Sequence, residues 1–91
     1  MEKVIRDPKA IKSLVARLRR IEGQARGIQR MIEEGRPCEE VVTQLSALKN
    51  AVDKVATHVI LENLERCILD ESPEMDPREA LQEAKRLILR L

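Results

Sequence analysis

The sequence predicts an all-α fold, a long antiparallel helix hairpin followed by a short third helix. Apolar residues recur at three- and four-residue spacing over long stretches, which is the period of one helical face. Asp-Pro occurs twice, at Asp7-Pro8 and Asp76-Pro77, each a capping side chain followed by proline at the first helical position. The stretch from Pro37 to Asp70 contains no glycine and no further proline. Composition agrees with helix: of 91 residues 43% are hydrophobic and 36% charged, and Phe, Tyr and Trp are absent, which leaves a wholly aliphatic core. A chain of this length makes one domain, residues 1–91, and buries a modest core alone, so oligomerisation is expected.

Met1 to Arg6 carries no periodic signal and reads as a loose basic tail. Helix 1 is expected over about 8–34, where Ile11, Leu14, Val15, Leu18, Ile21, Ala25, Ile28, Met31 and Ile32 form one apolar stripe. Gly35-Arg36-Pro37 supplies a left-handed cap and a restart, folding the second helix back on the first. Gly23 and Gly27 lie inside helix 1, each at up to about 1 kcal/mol relative to Ala, and are expected to permit a close approach. Helix 2 is expected over about 37–70, with Val41, Val42, Leu45, Leu48, Val52, Val55, Ala56 and Val59 packing on helix 1. Past Val55 the apolar arc widens through Ile60, Leu61, Leu64 and Ile68, which predicts cover on more than one side and therefore a subunit interface. Asp70-Glu71-Ser72-Pro73 breaks the helix, and Ala80, Leu81, Ala84, Leu87, Ile88 and Leu91 give helix 3, about 76–90, one apolar face.

Charge points to one class of partner and the missing aromatics remove another. The net charge is +1, but residues 1–36 hold ten Lys/Arg against five Asp/Glu, a balance of +5, and residues 37–91 hold seven against eleven, a balance of −4. Between Pro8 and Ile21 there are five basic residues and no acid, a footprint suited to phosphates. Single-stranded nucleic-acid modules stack bases on aromatic rings and are not expected here. With no long apolar run and no signal-peptide pattern, a cytoplasmic protein without a membrane partner is expected.

Cys38 and Cys67, the only cysteines, stand at opposite ends of the expected second helix. At 1.5 Å rise per residue they are about 44 Å apart, whereas a disulfide needs Cα atoms within about 6 Å. An antiparallel second copy would bring Cys38 of one chain to Cys67 of the other, twice per dimer by symmetry. First-turn N–H groups favour a thiolate at Cys38, while Glu39 and Glu40 oppose it. One turn before Cys67 stands Asn63, whose amide is a poor ligand for thiophilic ions. His58, the only histidine, lies nine residues before Cys67 on the opposite side of the helix. Two thiolates alone suit chemistry between sulfurs better than a closed metal site. No cofactor is expected, and no acid–base pair accompanies either thiol, so an enzyme is not expected.

The stretch Arg17 to Ile28, RLRRIEGQARGI, followed by Glu34-Gly35-Arg36-Pro37-Cys38 and Gln44-Leu45-Ser46-Ala47-Leu48-Lys49, resembles the CsoR/RcnR/FrmR family of bacterial transcriptional repressors over nearly the whole chain. The resemblance implies a three-helix protomer, an antiparallel dimer and a disc-shaped homotetramer, a dimer of dimers, that binds double-stranded operator DNA without a helix-turn-helix. It also implies a sensor site between subunits. The family's copper sensors carry His where this chain has Asn63, and the family's usual tyrosine before the first Cys is here Pro37. Glu62 to Cys67, ENLERC, is instead similar to the persulfide-sensing CstR branch, where reactive sulfur species link the two cysteines across the dimer and release DNA. The resemblance makes Pro37, Asn63 and Glu83 neighbours of the sensor site, Glu83 matching a position that in the copper sensors hydrogen-bonds the metal-bound His, and carries DNA contact to Arg17 and Lys49, with Arg20, Gln24 and Arg26 as additions. The expected function is thus a repressor whose sensing thiols are Cys38 and Cys67, Cys38 attacking first, with reactive sulfur species as inducer. One alternative is a Cu(I)-responsive repressor using the same two cysteines. Another is a helical oligomerisation module without DNA binding, which indifference of DNA affinity to replacing Arg17 and Lys49 by Ala would favour.

Overall fold

The computed structural model describes residue 5 and residues 7–69 and 76–91. Three helices occur in the order α1 (Pro8–Glu33), α2 (Cys38–Leu69) and α3 (Pro77–Leu89), with no strand among the described residues. The tail expected over Met1 to Arg6 lies outside the described residues except for Ile5, and the break expected at Asp70 to Pro73 lies outside them entirely.

Both Asp-Pro starts act as caps. The Asp7 carboxylate accepts from the Lys9 backbone N–H at 3.2 Å, and Asp76 accepts from that of Arg78 at 3.3 Å, so each satisfies a donor the helix leaves unpaired. The end of α1 depends on Gly35. Its φ of 72° lies where an L side chain meets the backbone, and it allows Gly35 N–H to reach the Ile32 carbonyl at 3.1 Å and Arg36 N–H that of Met31 at 2.9 Å. These two bonds close the helix and turn the chain into α2.

Helix α2 is the hub: α1 and α3 each pack on it and, among the described residues, not on one another. The core is small and aliphatic, formed by Leu14 and Ile28 of α1, Val55, Ile60 and Cys67 of α2, and Ala80 and Ala84 of α3. The stripe expected to bury α2 against α1 is narrower than its eight residues. Val55 is buried and Val41, Leu48 and Ala56 are half-buried, but Val42, Leu45, Val52 and Val59 are exposed. They lie on an adjacent flank, because a stripe that wide spans more arc than one neighbouring helix can cover. Helix α1 has a matching uncovered flank in Ile11, Val15, Leu18 and Ile32. Among the described residues nothing approaches Gly23 or Gly27 either: apart from its chain neighbours and its own helical backbone, a Cβ at either would meet no atom within 4 Å.

Candidate thiol site and basic groove

The two thiols are free and differ in access. Cys38 opens α2 and is exposed, whereas Cys67, two residues from the end of the same helix, is 6% exposed. One unbroken helix therefore holds them about 44 Å apart at its 1.5 Å rise, and no bridge forms within a protomer. Pro37 precedes Cys38 and lines an open pocket with Met31, Arg36, Glu40 and Gln44. In it Arg36 donates from Nε and a terminal nitrogen to Glu40 Oε2, at 2.9 and 2.8 Å. That pairing engages the Glu40 carboxylate in a charge-assisted pair. Asn63 is half-buried one turn before Cys67, and Glu83 is half-buried on α3. Among the described residues no group of three His, Cys, Asp or Glu side chains is placed to hold a metal ion.

Helical arithmetic relates the thiols to the uncovered flank. At about 100° per residue, Cys38, Asn63 and Cys67 all fall within about 60° of Val52 around the α2 axis. Cys38 and Cys67 thus bracket the exposed aliphatic stripe of Leu45, Val52 and Val59.

The basic residues divide differently. Arg17, Arg20 and Gln24 recur at helical spacing on one face of α1 and, with Ile21, form one wall of a groove of about 230 Å³ whose other wall is Ala51, Lys54 and Val55 of α2. Arg17 is half-buried and Arg20, Gln24 and Lys54 are exposed. A second groove of about 240 Å³ shares Arg17 and adds Asp7, Lys9, Ser13, Leu14, His58 and Glu62. Lys49 is exposed but lines neither groove. Five steps of about 100° turn it about 140° from Lys54, toward the aliphatic flank. Arg26 also stands apart, exposed and 4.0 Å from Glu22. Sequence reading missed Lys54, and found His58 without a task for it. Their four-residue spacing on one face of α2 was visible, but which face meets Arg17 is set by the register of the hairpin.

The family model for metal-sensitive transcriptional repressors matches residues 10–90. The copper-sensing transcriptional repressor RicR of Mycobacterium tuberculosis is 46% identical over 77 residues, covering 82% of this chain and 80% of its own length. The copper-sensing transcriptional repressor CsoR of Bacillus subtilis is 40% identical over 67 residues, and the match covers 74% of this chain and 66% of that repressor. Among solved structures, the nickel-responsive transcriptional regulator InrS superposes with a TM-score of 0.70 at 38% identity, over 87% of this chain and 89% of that one.

Proposed function

This chain belongs to the family of metal-sensitive transcriptional repressors, and from that premise we propose that it binds operator DNA through its basic groove and lets go when Cys38 of one copy is joined through sulfur to Cys67 of another. The observation that carries this reading is the placement of two free cysteines at opposite ends of one helix, bracketing an aliphatic flank that is left exposed among the described residues. An antiparallel second copy on that flank satisfies both needs at once, and residues 1–91 then act as one helical unit of a dimer or a dimer of dimers.

The chemistry follows from access. The exposed Cys38 thiolate takes the outer sulfur of a persulfide RS–SH, releasing RS⁻ and becoming Cys38–S–SH. The Cys67 thiolate of the facing copy then attacks the Cys38 sulfur and expels HS⁻, leaving an inter-chain disulfide; where a second persulfide first extends the group to Cys38–S–S–SH with release of RS⁻, attack on the middle sulfur with loss of HS⁻ leaves a trisulfide. Because Cys67 is covered in the unbridged protomer, bridging it must displace the end of α2 or its cover. Such a displacement, made at both ends of the dimer, gives the groove two alignments and hence two DNA affinities. Pro37, Asn63 and Glu83 are the neighbours that shape this site.

A second reading is a metal inducer, favoured by the copper-sensing names of the two relatives that are 40% and 46% identical. Cys38 and Cys67 of facing copies offer two soft thiolates suited to Cu(I), and Asn63 adds a weak donor. Mass spectrometry of the protein treated with inorganic polysulfide separates the two. The expected product is a pair of chains linked through Cys38 and Cys67, each disulfide two hydrogens lighter than the free thiols and each longer bridge heavier by whole sulfur atoms, with DNA affinity lost. No inter-chain link, beside tight Cu(I) binding that needs both cysteines, would overturn the sulfur reading.

A further inference from the structure

His58 is exposed on α2 and shares a groove with Arg17, the residue that also forms a wall of the neighbouring groove lined by Arg20, Gln24 and Lys54. The two grooves therefore join at Arg17. Lys54 and His58 are one turn apart on the same face of α2, so α2 continues the line of nitrogen donors that α1 begins. We propose that His58, in its imidazolium form, is a phosphate contact to double-stranded DNA, so that DNA affinity rises as pH falls. This rests on the DNA-binding reading above.

The groups facing His58 decide the sign. From α1 and its cap come Asp7, Lys9, Ser13 and Arg17, and from α2 come Lys54 and Glu62, each one turn away. Asp7 is already engaged as the cap of α1. Glu62 is a carboxylate, while Lys9, Arg17 and Lys54 are cations. A phosphodiester laid along the groove neutralises those three cations and adds its own attraction, so bound DNA favours the protonated ring. By reciprocity the protonated ring favours DNA. Histidine is the side chain whose unperturbed charge change falls between about pH 5 and 8, which sets the two pH values to compare.

Phosphate contacts do not depend on sequence, so a short random-sequence duplex is a sufficient probe. Its binding is measured across a salt series in phosphate-free buffer, near pH 6 and near pH 8. For the natural chain the slope of log affinity against log salt is expected to steepen at the lower pH by about 0.9 per engaged His58. In His58→Gln the slopes at the two pH values coincide. In His58→Arg the steeper slope persists at both, and circular dichroism verifies the helix content of each variant. A pH response in His58→Gln equal to that of the natural chain would overturn the proposal. So would a response that needs added inorganic phosphate, which would assign the groove to a free anion. Binding that weakens with Arg17→Ala but ignores His58 sinks this inference alone, whereas no DNA binding at any salt sinks the DNA reading itself.

Discussion

In the proposed antiparallel pair, Asn63 is the side chain whose replacement tests the sulfur reading against the metal one. It stands one turn before Cys67 and within about 60° of the flank that Cys38 shares, so a ligand there would join both thiols at one site in an antiparallel pair. An amide cannot serve a soft cation well, but an imidazole can. Asn63→His is therefore expected to raise Cu(I) affinity about 10- to 100-fold, a range that even outer-shell partners of a metal command. Competition with a Cu(I) chelator of known affinity measures it. Unchanged affinity would place Asn63 away from any site the two cysteines form. At this scale the sequence was informative where a residue's meaning depends on its own helix. The separation of Cys38 from Cys67 and the offset of Asn63 needed only the helical rise and turn. Lys54 and His58 remained without a role because their relation to Arg17 depends on how α1 and α2 cross. Lys49, read together with Arg17 as a DNA contact, lines neither of the two grooves that Arg17 lines, for the same reason.

Helix ends were legible in the sequence because their chemistry is local. Asp7 and Asp76 cap as their Asp-Pro pairs imply, and Gly35 takes the left-handed conformation expected of a glycine after the last helical turn. Helix faces were less legible, since apolar spacing marks which residues avoid water without marking which neighbour covers them. Val42, Leu45 and Val52 continue the period that buries Val55, yet they are exposed. The hairpin's geometry rests on Gly35. A Cβ there meets no neighbouring side chain, so the effect of replacing it comes from the backbone alone. With φ at 72°, Gly35→Ala is expected to destabilise by about 1–2 kcal/mol. Thermal unfolding at fixed protein concentration should then show a midpoint lower by roughly 4–8 °C for each kcal/mol. An unchanged midpoint would mean the turn relaxes without loss of the two bonds that close α1.

As a whole the protomer is elongated, and its shape argues for a second copy. Its radius of gyration is 17.0 Å, against about 12 Å for a compact domain of this length. The extents of 54 × 26 × 18 Å describe a slab two helices wide. Such a slab cannot enclose its own aliphatic residues, and Ile11, Val15, Leu18 and Ile32 of α1 lie uncovered like Leu45 and Val52 of α2. Burying one such side chain contributes about 1.5–3 kcal/mol, and in a two-fold pair each contributes twice. Val52, at 46% exposure, sits midway along α2 between the thiols. Val52→Asp would place two carboxylates in the interface without disturbing the protomer's own core. The expected outcome is a fall in mass toward that of one chain, read by light scattering after size exclusion, and a midpoint of unfolding that no longer rises with protein concentration. The same variant should no longer form the inter-chain sulfur link, because Cys38 and Cys67 lie about 44 Å apart on one rod and only a partner brings a second thiol within reach. A Val52→Asp protein that keeps its assembled mass and still links its chains would put the partner on another face and remove the geometric basis of the thiol switch.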